Sequence, residues 1–214
     1  THGGCTLQSP MVRDLSFSEK DALRARQKAA IAREAVRLIK PGQSLFIDTG
    51  TTVLHFVRAL PENYNLQIFT NNLRVAMDLF SRPGFEVNVF GGRLASISPD
   101  LVGDVALTRA GEYQLDVAIM GTDAIDPVRG ETYAADIPTA NLDRMVQRQA
   151  NRVVILGDSS KMGKRSLALV ARLQQGITLI TDDGVSPRDL AQLRKTGAEI
   201  VAVKSGDDPT NGHG

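Results

Sequence analysis

The sequence has few of the residues that mark disulfide-bonded, membrane-spanning or nucleic-acid-binding chains. Cys5 is its single cysteine, which excludes an internal disulfide and favours a cytoplasmic location. No apolar run approaches the roughly 20 residues that a membrane-spanning helix requires, so no membrane partner is expected. The 25 basic residues are balanced by 24 acidic ones, and the net charge of +1 leaves no excess of the kind that nucleic-acid-binding domains carry.

Short apolar segments alternate along the chain with amphipathic ones, and 42% hydrophobic residues in a chain of 214 suffice for a sizeable core. The predicted strands are 44–48, 66–70, 86–90, 115–120, 151–156, 166–170, 177–181 and 199–203. The predicted helices are 52–60, 72–81, 103–113, 138–150 and 187–196. This alternation predicts an α/β protein with a doubly wound, mainly parallel sheet covered on both faces. The short distance between 166–170 and 177–181 leaves open an antiparallel or edge strand there.

The two ends of the chain are predicted to lie outside this alternation. Ser18-Glu19-Lys20-Asp21 fits a capping box and predicts one alanine-rich helix from there to Ile39. Residues 1–17 are expected to form an extended lead-in, residues 18–204 the folded domain, and residues 205–214 a disordered polar tail. Because the first residue is Thr1 and not Met, we expect the chain to be a piece of a longer protein.

The segment Asp48-Thr49-Gly50-Thr51-Thr52 joins the first predicted strand to a predicted helix. Backbone N–H groups at a helix start are free and lie at the positive end of the helix dipole, while Gly50 allows close approach and the threonines add hydroxyl donors. Such a loop suits a phosphate or a carboxylate. The alternative is an ordinary turn in which Thr51 caps the helix, and the loop's own residues do not separate the two hypotheses.

Small or polar residues follow each of the first five predicted strands, at the edge of the sheet where open α/β proteins bind ligands. Besides residues 48–52, these segments are Thr70-Asn71-Asn72, Gly91-Gly92-Arg93, Gly121-Thr122-Asp123 and Gly157-Asp158-Ser159-Ser160-Lys161. Their carboxylates, amides, hydroxyls and two cations, Arg93 and Lys161, suit a phosphorylated sugar. Lys161 and the helix start after Gly50 are expected to bind the phosphate. Asp48, Asn71 and Asp123 are expected to bind sugar hydroxyls.

Several other chemistries lack their motifs in this sequence. Residues 157–165 differ from a Walker A loop in spacing, and Arg165 stands where Ser or Thr would hold magnesium. There is no Gly-x-Ser-x-Gly elbow and no Gly-x-Gly-x-x-Gly fingerprint. His2, His55 and His213 are too scattered to form a metal site with Cys5. We therefore expect neither a metal nor a cofactor.

A series of motifs in a fixed order resembles the C-terminal effector-sensing domain of DeoR-type transcriptional repressors of sugar metabolism. The likeness covers almost the whole chain. Thr1-His2-Gly3-Gly4 is similar to the end of the family's winged-helix segment, and Phe17-Ser18-Glu19-Lys20 with Lys28 and Ile31-Ala32 to its linker helix. The later motifs are Asp48-Thr49-Gly50-Thr51-Thr52, Thr70-Asn71-Asn72, Gly91-Gly92-Arg93-Leu94, Leu101-Val102-Gly103, Gly121-Thr122-Asp123-Ala124 and Asp158-Ser159-Ser160-Lys161. Residues 130–136 depart from the family pattern, and Asp136 is the acidic residue expected to serve there.

The resemblance implies a fold shared with ribose-5-phosphate isomerase and CoA-transferase-like proteins. It also implies a phosphorylated sugar or sugar-alcohol effector, a homo-oligomer, and operator DNA bound only through an N-terminal helix-turn-helix domain that is missing here. Residues 1–17 would be the linker remnant of that domain. The expected ligand-binding residues are Asp48, Thr49, Gly50, Thr51, Thr52, Asn71, Asn72, Gly91, Gly92, Arg93, Gly121, Asp123, Asp136 and Lys161.

The rival hypothesis is an active sugar-phosphate isomerase. Such an enzyme needs a general base near the substrate carbon, for which Asp123 or Glu131 is the candidate. The isomerases carry a Lys-Gly-Gly-Gly-rich loop after the corresponding segment, and this sequence has none. A sensor that binds without catalysing is therefore the favoured hypothesis.

Overall fold

A computed structural model describes residues 17–96 and 98–206 of the chain. The predicted lead-in and most of the predicted tail lie outside these residues, although Ser205 donates hydrogen bonds from its backbone N–H and its Oγ to Asp183. The helices are α1 (Phe17–Ala22), α2 (Ala25–Val36), α3 (Thr51–Ala59), α4 (Leu73–Leu79), α5 (Asp104–Ala110), α6 (Ile137–Gln149) and α7 (Pro187–Arg194). The strands are β1 (Ser44–Ile47), β2 (Leu66–Thr70), β3 (Phe85–Val89), β4 (Arg93–Leu94), β5 (Leu101–Val102), β6 (Leu115–Met120), β7 (Ala124–Asp126), β8 (Glu131–Ala134), β9 (Ala150–Leu156), β10 (Ala168–Arg172), β11 (Ile177–Asp182) and β12 (Glu199–Val203).

A 7-stranded sheet in the order β12-β11-β9-β6-β1-β2-β3 forms the centre of the molecule, and all its neighbouring strands are parallel. From β1 the chain adds strands in one direction to β3 and in the opposite direction from β6 to β12. The order of strands therefore reverses between β1 and β6. The predicted doubly wound α/β fold is confirmed, and the expected strands and main helices are present to within about three residues at their ends.

Alternate residues of the strands point to opposite faces of the sheet, and each face has its own core. On β1, Leu45 and Ile47 pack with α2, α3 and α4, while Phe46 packs on the other face with α5, α6 and α7. All three side chains are fully buried. Near-continuous apolar runs such as residues 45–47 are thus explained by burial on both faces.

Three short strands form a separate antiparallel sheet in the order β10-β8-β7. The prediction that 166–170 might depart from the parallel sheet is confirmed, since β10 pairs with β8 and not with β11. Strands β7 and β8, and the small hairpin of β4 and β5, were not predicted. These strands have 2–4 residues each, too few to show a periodicity in the sequence.

The prediction of one helix from residue 18 to 39 is wrong. Helix α1 ends at Ala22, and α2 begins at Ala25 after Arg24, which has the left-handed values φ 54 and ψ 35. Ser18 lies inside α1, so it is not the predicted N-cap of a single long helix. An unbroken helical pattern in sequence cannot reveal this break, because the contacts that hold Arg24 come from a distant part of the chain.

Met120→Ala should lower the free energy of unfolding by about 2–5 kcal/mol, because the side chain is 1% exposed and its removal leaves a cavity in a close-packed core. Leu167→Ala is the control, since it truncates an apolar side chain of similar size that is 72% exposed. Its effect should stay within about 0.5 kcal/mol. Urea unfolding of both variants measures the difference, and equal losses would contradict the described packing.

Candidate functional site

The ends of β1 and β6 meet where the strand order reverses, the place at which open α/β sheets form their ligand crevice. Asp48 follows β1 and is almost completely buried, and its Oδ2 accepts the N–H of Gly121 after β6 at 2.9 Å. A Cβ on residue 121 would lie 2.6 Å from the carbonyl oxygen of Thr49, so only glycine fits there. The carboxylate of Asp48 therefore joins the two strands that border the crevice.

Helix α3 begins in this crevice without a side-chain cap. Its N-cap is Gly50, with φ 110 and ψ 154, and no side chain within residues 17–96 and 98–206 accepts a hydrogen bond from its first turn. The alternative in which Thr51 caps the helix is wrong, because Thr51 is the first helical residue. The starts of α2 and α5 also lack a side-chain cap, whereas the side chains of Asn72, Asp136 and Ser186 cap α4, α6 and α7. An uncapped helix start leaves donors and the positive end of the dipole open to an anion.

Asn71 and Asn72 after β2 have different roles. Asn72 Oδ1 caps α4 by accepting the N–H of Val75, and its Nδ2 donates to Thr49 Oγ1 at 2.9 Å and to Asp100 Oδ1 at 2.6 Å. Its polar atoms thus support the crevice wall and are engaged within the protein. Asn71 donates from Nδ2 to the carbonyl of Leu101 at 3.2 Å, while its buried Oδ1 has no partner among the described residues. Of the two asparagines, only Asn71 therefore has a side-chain oxygen that is free to accept a hydrogen bond from a ligand.

Gly91, Gly92 and Arg93 lead into the hairpin of β4 and β5. A Cβ on Gly92 would lie 2.7 Å from the carbonyl oxygen of Val102, and the φ of Gly92 is 135, so glycine is required for this turn. Arg93 pairs with Val102 across the hairpin and is exposed. No described contact joins Arg93 to Asp48, so its predicted ligand contact stays a prediction.

Asp123 and Asp136 lie on the side of the crevice formed by the small antiparallel sheet. Asp123 is exposed, and its Oδ2 accepts the N–H of Ala135 at 2.8 Å. Asp136 caps α6 by accepting the N–H of Thr139 at 2.9 Å, and its second oxygen bonds the Thr139 hydroxyl. Capping occupies both oxygens of Asp136, which accordingly serves first to start the helix.

Lys161 ends a short 3-10 turn (Ser159–Lys161) that follows β9. Asp158 caps this turn by accepting the N–H of Ser160 at 2.9 Å, and Asp182 at the end of β11 holds it by accepting the N–H of Ser159 at 2.6 Å. The half-buried side chain of Lys161 forms no ion pair or hydrogen bond with another described residue. Strands β9 and β1 are separated only by β6, so Lys161 is placed on the same edge of the sheet as Gly50.

Two aspartates on this edge were not predicted as site residues. Asp100 is the buried partner of Asn72, and Asp143 lies on the buried face of α6 with Ala140 and Val146, its Oδ1 without a partner among the described residues. The spacing of 140, 143 and 146 placed an acidic residue on an otherwise apolar helix face. This pattern in the sequence could have identified Asp143 as a site residue, since carboxylates on a buried helix face are rare.

Five carboxylates influence one another here: those of Asp48, Asp100, Asp123, Asp136 and Asp143. Burial raises the pKa of Asp48 to about 7, with smaller increases from Asp100 and Asp123, although the N–H groups of Thr49 and Gly121 oppose the shift. Burial, followed by the negative charge of Asp48, raises the pKa of Asp143 well above its ordinary value. Near neutral pH this group of carboxylates therefore holds protons that it would lose in water.

The stability of the protein should fall as pH rises from about 4 to about 7 because of these protons. In that window the folded state keeps a proton on Asp48 that the unfolded state, with the ordinary pKa of 3.8, has released. One such proton gives a slope of about −1.4 kcal/mol per pH unit in the free energy of unfolding. Asp48→Asn, whose amide oxygen can still accept the Gly121 N–H, should flatten the slope and be the more stable protein at pH 7.

Urea unfolding at several pH values measures both proteins. His55 is partly buried, which lowers its pKa and gives a slope of opposite sign, but His55 is present in both proteins and cancels in the comparison. Identical slopes for wild type and Asp48→Asn would show that Asp48 is ionised throughout.

Sequence comparison finds similar proteins among transcriptional regulators. The chain is 34% identical over 200 residues to a candidate aga operon transcriptional repressor of Escherichia coli O157:H7, covering 93% of this chain and 73% of that protein. It is 30% identical to the HTH-type transcriptional repressor CsqR of Escherichia coli K12, with 94% and 76% covered. It is also 30% identical to the glycerol-3-phosphate regulon repressor of the same strain, with 85% and 71% covered.

Similar solved structures include eIF2B delta from Chaetomium thermophilum, with a TM-score of 0.50, 17% identity, and 66% of this chain and 50% of that chain covered. Ribose 5-phosphate isomerase A from Methanocaldococcus jannaschii matches with a TM-score of 0.46 and 21% identity, covering 63% of this chain and 53% of that one. At such identities the likeness concerns the fold alone. It supports no conclusion about activity.

The family model described as the DeoR C terminal sensor domain matches residues 23–183. These residues include every predicted site residue from Asp48 to Lys161, together with the strands whose ends border the crevice. The relatives at 30% identity or more are repressors of the same kind. The chain therefore belongs to the DeoR family, as the C-terminal sensor domain of a transcriptional repressor of sugar metabolism.

Proposed function

We propose that this sensor domain binds a phosphorylated sugar or sugar alcohol between the ends of β1, β6 and β9. Binding would alter how an N-terminal domain outside this chain binds operator DNA. The observation that carries the proposal is the uncapped start of α3 at Gly50, located at the reversal of strand order. The name of one relative, the glycerol-3-phosphate regulon repressor, contains a phosphorylated polyol and supports the same class of compound.

The phosphate is assigned to the side of the crevice between α3 and Lys161. Backbone donors of the α3 first turn and the hydroxyls of Thr51 and Thr52 would bind its oxygens, with the helix dipole favouring negative charge. Lys161 would supply a full positive charge, since no described carboxylate occupies its ammonium group. A hydrogen bond that includes such a charge contributes about 1.5–3 kcal/mol.

The hydroxyl groups are assigned to the acidic side of the crevice. Asp48 Oδ1 and Asn71 Oδ1 are buried acceptors without partners among the described residues, and Asp123 is exposed beside them. A buried acceptor without a partner costs free energy that a ligand hydroxyl would recover. Thr49, Asn72, Gly91, Gly92, Gly121 and Asp136 would shape the pocket through the contacts described above, and Arg93 would close its outer side.

The signal requires only that the effector bind two arrangements of the repressor with different affinities. We propose a homo-oligomer as the assembly that has these arrangements. Leu73, Met77 and Phe80 form an exposed apolar stripe at helical spacing along α4, beside the β3 edge of the sheet. We also propose a cytoplasmic location, as expected of a protein that regulates transcription. No helix among residues 17–96 and 98–206 is long and apolar enough to cross a membrane.

Catalysis is not part of the proposed function. Glu131, one of the candidate bases, accepts a hydrogen bond from Tyr133 at 2.6 Å and pairs with Arg172. These contacts lower the pKa of Glu131, which makes it a weaker base. The other candidate, Asp123, has one oxygen occupied by the N–H of Ala135.

A thermal-shift screen with phosphorylated sugars and polyols, each beside its unphosphorylated parent, tests the proposal. Ligand binding raises the apparent melting temperature by mass action, so at least one phosphorylated compound should raise it while its parent does not. Lys161→Ala should then weaken binding of that compound about 10- to 100-fold, because a charge-assisted hydrogen bond is lost.

Lys164→Ala is the matched control, since Lys164 is an exposed lysine three residues further along the same loop. It should leave affinity within about twofold, as expected of a solvated surface charge. No response to any phosphorylated compound would refute the effector class. Equal loss of phosphorylated and parent compound in Lys161→Ala would make Lys161 a purely structural residue.

Incubation with pentose and hexose phosphates should give no aldose–ketose conversion above the rate without protein. The reason is that contacts with Tyr133 and Arg172 lower the pKa of Glu131, and that the N–H of Ala135 occupies one oxygen of Asp123. Chromatographic separation of aldose from ketose measures the outcome. Turnover that scales with protein concentration, and that Asp123→Asn abolishes, would favour the isomerase.

A further inference from the structure

Arg24 stands at the break between α1 and α2 in a conformation that needs an explanation. Its φ of 54 and ψ of 35 lie in the left-handed region, which L residues other than Asn and Asp rarely adopt. Among the described residues other than glycine, only Asn65 also has a positive φ. A left-handed arginine persists where surrounding contacts hold it, so those contacts indicate what the break is for.

The guanidinium of Arg24 reaches the turn that carries Lys161. Its Nη1 donates to Ser159 Oγ at 3.1 Å, and its Nε lies 3.9 Å from Asp158 Oδ1. Asp158 is nearly buried, whereas the Arg24 side chain is 44% exposed and can change its contacts. Arg24 and Ser159, which lie 135 positions apart in the sequence, are thereby joined across the edge of the crevice.

Lys28, one turn into α2, faces the same turn from a buried position. Its Nζ donates to the carbonyl of Lys20, which ties α2 back to α1. Burial lowers the pKa of Lys28, as does the nearby charge of Lys161, while Asp158 and Asp21 oppose the shift. Lys28 lies on the same buried, mainly apolar face of α2 as Ile31. It was not among the predicted site residues.

Helix α1 also contacts α3, whose start is the other half of the proposed phosphate site. Asp21 lies 3.1 Å from Arg58 Nη1 and 3.4 Å from His55 Nε2, both on α3. The short helix is thus held to α3 by Asp21 and to the Asp158–Lys161 turn by Arg24. A change at either half of the site reaches α1 through a direct contact.

We propose that Arg24 is a positioning residue that carries effector binding from the Asp158–Lys161 turn to α1. The inference rests on the proposed phosphate site between Lys161 and α3. A phosphate there offers the planar guanidinium a stronger partner than the Ser159 hydroxyl, because arginine binds phosphate oxygens in pairs. Arg24 then exchanges Ser159 for the phosphate. The bound anion thereby holds α1 against the rest of the described chain.

Hydrogen exchange with inorganic phosphate as the probe tests this coupling, with chloride at equal ionic strength as the reference. At a phosphate concentration about ten times its dissociation constant, exchange of the α1 amides should be roughly tenfold slower in the wild type. The peptide that contains residues 51–54 at the start of α3 reports phosphate binding itself. In Arg24→Asn, with phosphate at about ten times the dissociation constant of that variant, the α3 response should remain and the α1 response should disappear.

Asparagine is chosen because it tolerates the left-handed backbone while lacking the guanidinium. Arg33→Ala removes an exposed arginine of α2 that has no described contact with the Asp158–Lys161 turn, and it should respond as the wild type does. A slowed α3 with an unchanged α1 in the wild type would overturn the role of Arg24 but leave the phosphate site intact. Retention of the α1 response in Arg24→Asn would overturn it too. If neither peptide responds, the phosphate site itself fails.

Discussion

The reversal of strand order between β1 and β6 is the constraint on which the rest of the site depends. The helices α3 and α6 that come after these strands pack on opposite faces of the sheet, and open α/β sheets form their ligand crevice at such a reversal. Asp48 spans it by accepting the N–H of Gly121, and Gly121 has no space for a side chain. A buried carboxylate without a basic partner among the described residues is costly, and its raised pKa is the physical consequence.

The two sides of the crevice differ in charge. On one side lie the open start of α3 and Lys161, and on the other lie acidic side chains of Asp48, Asp123 and Asp143. A molecule with a phosphate at one end and hydroxyls along its length complements both sides. Because hydroxyls donate to carboxylates and phosphates accept from backbone N–H groups, this polarity also sets the direction in which such a ligand would lie.

The N-terminal helices belong to the same electrostatic system. Arg24 and Lys28 bring two positive charges beside Asp158, and Asp21 brings a negative charge beside His55 and Arg58 of α3. Charges on and next to a short helix that contacts both halves of the proposed binding site give that helix a direct means of responding to an anion. No long chain of intermediate contacts is needed.

Apolar periodicity and the residues after each strand were enough to determine the α/β class, the main helices and strands, and the segments at the carboxyl edge of the sheet. These features follow from local patterns, since burial of a strand or of one helix face is visible in consecutive residues. The break at Arg24, the antiparallel sheet of β7, β8 and β10, and the place of Asp100 and Asp143 were decided by tertiary structure. Each depends on contacts between residues far apart in the chain, such as Arg24 with Ser159. Local spacing carries no record of such contacts.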